Sequence, residues 1–299
     1  MFGRAVLCAT AALALLAPAA SWAETSQAGE GDPYVLAVMG DLNSTLRAEW
    51  MDLRAEWMDL RVEQVELLTL GQGRSSSRLH RQPFRWVAGD WRRDADGTNL
   101  TYLVDLSDGL GTSGLTPGAA EAAVDRAMAT WSADPCFQKV RLVKRAGGGP
   151  DPDIFDYRFG YGGLGNYRAA DVVHAGWLPP DFFDRVTGPG GGESVVALSV
   201  TFIYVDRNGV PTDFDGDGYL DTAHSEIYYN QGFSWTAGTS AGAMDVESVA
   251  LHELGHALGI GHIGPPPTAV MNPVYNSVRR VLEPLDRAAL CSVWGSWPH

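Results

Sequence analysis

A chain of 299 residues, 45% hydrophobic and 10% aromatic, carries enough apolar surface for a packed domain of about 200 residues plus an N-terminal extension, which excludes wholesale disorder. Its formal net charge of −14 repels phosphate backbones and excludes nucleic acid as an expected partner. Only Lys139 and Lys144 are lysines, an arginine bias that points, with the abundant alanine and glycine, to a GC-rich bacterial genome.

Residues 1–23 have the pattern of a secretory signal peptide. Arg4 supplies the charge, Ala5 to Ala20 is apolar and small, and Ser21-Trp22-Ala23 sets small residues where a signal peptidase reads. Cleavage is expected after Ala23, giving a secreted protein, extracellular or periplasmic. No later stretch is long enough to span a bilayer.

Residues 24 to about 95 read as a helical pro-segment or extension. Within them Leu46 to Asp52 recurs intact as Leu53 to Asp59. Seven residues fall only about 20° short of two helical turns, so Leu46, Leu53, Leu60 and Leu67 are expected to form one stripe. Two readings stand: a short coiled coil, giving weak self-association through residues 46–67, or an amphipathic helix lengthened by duplication. Gly71 to Ser77 follows as a flexible break, and Gly89-Asp90 as a turn.

Residues 96–299 carry the regular patterns of a second segment. Leu100 to Val104 predicts a strand, and Thr116-Pro117 caps a helix whose Val124, Ala127, Met128 and Trp131 share a face. Val140–Val143 and Ile154–Phe159 read as strands, and Val195–Val205 as a strong one. Cys136 and Cys291 form an even pair in an exported chain and read as a disulfide, with two buried free thiols as the alternative. Asp213, Asp215, Asp217 and Asp221 alternate around Gly216 as at the start of a calcium loop, although His224 stands where a bidentate glutamate would complete it. The alternative is a solvated acidic turn. Pro284 to Trp294 predicts a last helix.

The segment from His252 to His262 carries the chemistry. His252 and His256, four apart, project from one face of a helix that Asp245 caps, and can share a metal. Glu253 stands beside them, where a general base belongs. Gly259 can turn the chain so that His262 becomes a third ligand. Three protein ligands leave one position for water, the mark of a catalytic zinc site.

This pattern, HExxHxxGxxH, resembles that of the metzincin metallopeptidases. Met271, nine residues past His262, resembles their methionine turn, and Pro273 two residues later makes the likeness best to matrixins. Ile263 after the third histidine matches no usual subfamily residue. The resemblance implies an α+β, zincin-like fold: a mixed, mostly parallel five-stranded twisted sheet with three helices, split by the cleft. It also implies a Zn2+-dependent endopeptidase that takes an extended protein or peptide against an edge strand, here Val195–Val205, with Met271 packing beneath the metal. Matrixin pro-segments silence zinc with a cysteine, which residues 24–135 lack. Gly89-Asp90 resembles the astacin alternative and makes Asp90 a candidate latency ligand, against a plain surface turn. His174 resembles one ligand of the matrixin structural zinc, but its usual upstream partners are missing. The competing function is a catalytically silent secreted module stabilised by zinc and Ca2+.

Overall fold

The computed structural model describes residues 32–50, 59–71, 82–90, 98–107, 109–110, 115–146, 152–163, 168–264 and 268–297. The signal peptide, most of the second repeat copy and Gln72 to Ser77 of the expected break lie outside the described residues.

In chain order the elements are α1 (Pro33–Trp50), β1 (Asp59–Thr69), β2 (Phe84–Trp86), β3 (Asn99–Val104), α2 (Pro117–Ser132), β4 (Arg141–Lys144), α3 (Phe155–Phe159), β5 (Val172–Leu178), α4 (Pro180–Thr187), α5 (Gly191–Ser194), β6 (Val195–Val205), β7 (Leu220–Asn230), β8 (Trp235–Thr236), β9 (Met244–Asp245), α6 (Val246–Ala257) and α7 (Pro284–Trp294). The main sheet runs β1-β6-β7-β5-β3-β4, with β2 also paired to β7. β4, β3, β5 and β7 are mutually parallel, and β6 is antiparallel to β7. That five-stranded unit is the mixed, mostly parallel sheet expected of a zincin-like α+β fold, with α2, α6 and α7 as its long helices.

The two faces of the sheet bury different layers. On one, Trp131 and Val124 of α2 pack with Leu251 and Leu254 of α6 and Val293 of α7. On the other, Val35, Leu42 and Leu46 of α1 pack with Phe182 and Phe183 of α4. Thr116 Oγ1 accepts from Ala119 N and Pro117 opens α2, so the start of this helix follows from its capping chemistry.

Three expectations are corrected. The leucine stripe is not one helix: Leu46 lies on α1, whereas Leu60 and Leu67 lie on β1. All three are buried in the chain's own core, and Asn43 ties α1 to β1 through Val62 N at 2.7 Å and Val62 O at 3.0 Å. The seam offered to a second copy is therefore covered internally. Residues 155–159 form a short helix rather than a strand, because the buried Glu226 carboxylate accepts from Ile154 N (2.6 Å) and Phe155 N (3.0 Å) at its start. Finally, β6 is not an edge. β1 pairs antiparallel along it from Asp59↔Val205 to Leu68↔Ala197, so the N-terminal extension supplies the outermost strand.

Candidate metal centre and cleft

α6 begins where the sequence places it. Asp245 accepts from Ser248 N at 3.0 Å and is gripped by Arg280 Nη2 at 2.6 Å. The helix ends in a Schellman arrangement: Gly259 N donates to His256 O and Ile260 N to Gly255 O, both at 2.9 Å. Gly259 holds φ 79, and a Cβ there would meet Phe84 O at 2.8 Å, so both conformation and space demand glycine. The free carbonyls of this last turn find donors from distant segments. Trp86 Nε1 reaches Ala257 O (2.7 Å), Trp294 Nε1 reaches Leu258 O (2.9 Å), and Gln82 N reaches Gly259 O (2.9 Å).

The turn brings His262 back to His252 and His256. His256 Nε2 lies 3.1 Å from His252 Nε2 and 3.2 Å from His262 Nε2. The outer nitrogens face acceptors: His252 Nδ1 meets Val270 O at 2.7 Å, His256 Nδ1 meets Ile260 O at 2.8 Å, and His262 Nδ1 lies 3.3 Å from Glu66 Oε2. A carbonyl can only accept, so the first two rings carry their protons on Nδ1 and the Glu66 carboxylate favours the same tautomer in the third. Three unprotonated Nε2 lone pairs then converge on one point. Such crowding is repulsive unless a cation sits among them, and the donor set fits zinc. Burial pulls His252 down to about 4. It pulls His256 and His262 well below the ordinary imidazole range, with neighbouring imidazoles adding to the fall. The rings are therefore neutral, as ligands must be.

Glu253 is fully buried beside the trio, and neither of its oxygens has a hydrogen-bond partner among the described residues. Burial pushes its carboxyl well above the usual carboxylate range, the nearby Ser199 hydroxyl opposing the rise and the Glu66 charge adding to it. Ser199 Oγ likewise has no hydrogen-bond partner among the described residues. Met271 packs under the helix, where a Cβ on Gly255 would meet its Sδ at 2.2 Å. Its turn is anchored by Asp286 of α7, whose carboxylate accepts from Val270 N (2.9 Å) and Met271 N (3.1 Å).

Other expected residues fall elsewhere. Asp90 accepts from Tyr204 at 3.0 Å. Tyr204 is the register partner of Leu60, six residues from Glu66 and so roughly 20 Å along the strand from the trio. The structure thus does not bring Asp90 to the metal centre; Glu66, which the helical reading hid, stands beside it. Asp213, Asp215 and Asp221 present carboxylate oxygens within 4.8 Å of one another. Asp217 departs from that set, because the buried Arg85 guanidinium pairs with it, Nε at 2.8 Å from its Oδ2. Cys136 and Cys291 are joined, with Cα atoms 5.0 Å apart. His174 is buried with Nδ1 2.7 Å from Tyr229 Oη, and the metal-type clusters among the described residues do not include it.

The family model of the matrixins matches residues 194–295, the span from the start of β6 to the end of α7. The chain is 37% identical over 90 residues to matrix metalloproteinase-19 of Homo sapiens, which covers 27% of this chain and 17% of that protein. It is 29% identical over 125 residues to matrix metalloproteinase-21 of Cynops pyrrhogaster, covering 40% of this chain and 20% of that protein. The matched region thus spans about a fifth or less of each relative's length. Motif, sheet and family match agree: over residues 194–295 the chain is similar to the matrixins, within the metzincins that its zinc-binding pattern resembles.

Proposed function

We propose that this chain is a secreted zinc-dependent endopeptidase acting on protein or peptide substrates. One observation carries the reading: three Nε2 atoms converge beside a buried carboxylate that has no hydrogen-bond partner among the described residues. His252, His256 and His262 would hold the ion, which when bound supplies Lewis acidity that activates water and polarises a carbonyl. Glu253 takes a proton from the attacking water and passes it to the leaving amine. Met271 and Asp286 fix the floor under the ligands, and the dry surroundings strengthen each charge. Asp213, Asp215 and Asp221 would hold Ca2+, closing the loop that leads into β7. Among the described residues no helix is long and apolar enough to cross a membrane.

The covered edge of β6 favours a second reading, a silent module that keeps zinc only for stability. Metal analysis and cleavage assays on zinc-loaded wild type and Glu253→Gln separate the two. The peptidase reading expects about one zinc per chain in both. It also expects a loss of about 10²–10⁴-fold in peptide-bond cleavage in the variant. Zinc binding without cleavage of casein or of the chain itself would establish the silent module instead.

A further inference from the structure

Side chains two apart on a strand share a face. Gln64 and Glu66 of β1 therefore point the same way, while Leu67 faces the layer of α1. Glu66 is 2% exposed and Gln82 3%. A carboxylate taken that far from water is costly unless its oxygens are engaged. Here Oε1 accepts from Gln82 Nε2 at 3.1 Å and from Gln64 Nε2, and Oε2 faces His262 Nδ1 at 3.3 Å. The two amides hold the carboxylate in place and leave its second oxygen for the imidazole. Gln82 also donates its main-chain N–H to Gly259 O at 2.9 Å. One residue thus secures both the turn that delivers His262 and the carboxylate that orients its ring. His252 and His256 face main-chain carbonyls of Val270 and Ile260, whereas His262 faces a charged group carried in by the N-terminal extension.

We propose that Glu66 is a positioning residue of the metal centre, and that through it zinc binding and the seating of β1 reinforce each other. This rests on the zinc site of the peptidase reading. A carboxylate that accepts from Nδ1 fixes the ring with its Nε2 lone pair toward the ligand point and makes that nitrogen a stronger donor to a metal. With zinc bound, the Nδ1 proton becomes more positive and its hydrogen bond to the charged Glu66 strengthens. Linkage makes the two effects equal: whatever Glu66 adds to zinc affinity, zinc adds to the anchoring of the strand that carries Glu66. The N-terminal extension is thus part of the metal site, and a state in which β1 lifts from β6 holds zinc more weakly.

The test uses the full chain, stripped of metal and titrated with zinc against a chelator of known affinity. Glu66→Ala should raise the zinc dissociation constant about 10–100-fold. Glu66→Gln, isosteric and so safe for folding, keeps an acceptor for Nδ1 without the charge and should raise it less, by at least about threefold. Leu67→Ala, on the opposite face of β1, is the control. It removes buried core and should lower stability in urea, yet leave the zinc dissociation constant within about threefold of wild type. Hydrogen exchange reads the coupling in the reverse direction. Zinc should slow exchange at the amides of Thr69, Leu70 and Gln82, which donate to Pro273 O, Ser194 O and Gly259 O, and Glu66→Ala should remove most of that protection. A zinc dissociation constant that neither Glu66 variant changes, one that Leu67→Ala raises as much, or exchange at those amides indifferent to zinc overturns the inference. If wild type binds zinc and Glu66 proves indifferent, only this inference falls. If wild type binds no zinc, the peptidase reading falls with it.

Discussion

His262 reaches the metal centre because one residue, Gly259, adopts a left-handed conformation that an L side chain resists. Gly259→Ala would impose strain at φ 79 and drive a methyl against Phe84 O, a cost of about 1–3 kcal/mol. We expect urea unfolding of the metal-free variant to show that loss, together with weaker zinc affinity because the third imidazole is displaced. Unchanged zinc affinity would mean that the turn does not set the position of His262. The trio and Glu253 were legible in the sequence because their spacings are local, fixed by one helix and one cap. Glu66 and Asp286 were not. Glu66 approaches His262 across 196 positions, and Asp286 reaches the methionine turn from another helix, so no spacing rule could mark either.

Among the elements, those with local signals read true: α2 from its capping threonine and proline, β6 from its β-branched run, and α7 from Pro284. The misread elements are those whose conformation depends on remote partners. The heptad-spaced leucines satisfy a helix, yet Val62, Val65 and Leu68 also suit a strand, and pairing with β6 decides between them. Residues 154–159 carry apolar residues suited to either state, and the distant Glu226 carboxylate tips them to helix. The covalent tie between these long-range partners gives a measurable expectation. Cys136 follows α2 and Cys291 lies on α7, a separation of 155 residues. Loop-closure entropy sets an upper bound of about 4–5 kcal/mol on its contribution. Replacing both cysteines by serine should therefore lower stability by a few kcal/mol in urea unfolding without abolishing zinc binding. A double variant as stable as wild type would show that the tertiary packing of α7 alone holds it in place.

At the scale of the whole molecule, the strand order of the five-stranded unit was legible only through family resemblance, and the two added strands not at all, since β1 and β2 pair with segments more than a hundred residues away. Asp213, Asp215, Asp217 and Asp221 crowd one place that matters to stability, the loop leading into β7. Burial raises the Asp221 carboxyl from its ordinary 3.8 to about 6, and the Asp215 and Asp213 charges add to the rise against hydrogen bonds from Thr212 and the Phe214 amide. A carboxyl raised by folding stabilises the folded state only while protonated. That contribution is complete below about pH 4 and is lost as pH climbs through about 6. A bound cation reverses the cost, because it favours the ionised cluster. Calcium should therefore raise the melting temperature clearly at about pH 7.5, and the increment should shrink as pH falls through about 6, where protons compete for Asp221. Asp221→Asn should remove most of the calcium effect while making the calcium-free protein less sensitive to pH in this window. Asp217→Asn should instead destabilise with or without calcium, because it leaves the buried Arg85 guanidinium without its ionic partner. A calcium increment independent of pH, or one abolished equally by both substitutions, would place the ion somewhere other than on Asp213, Asp215 and Asp221.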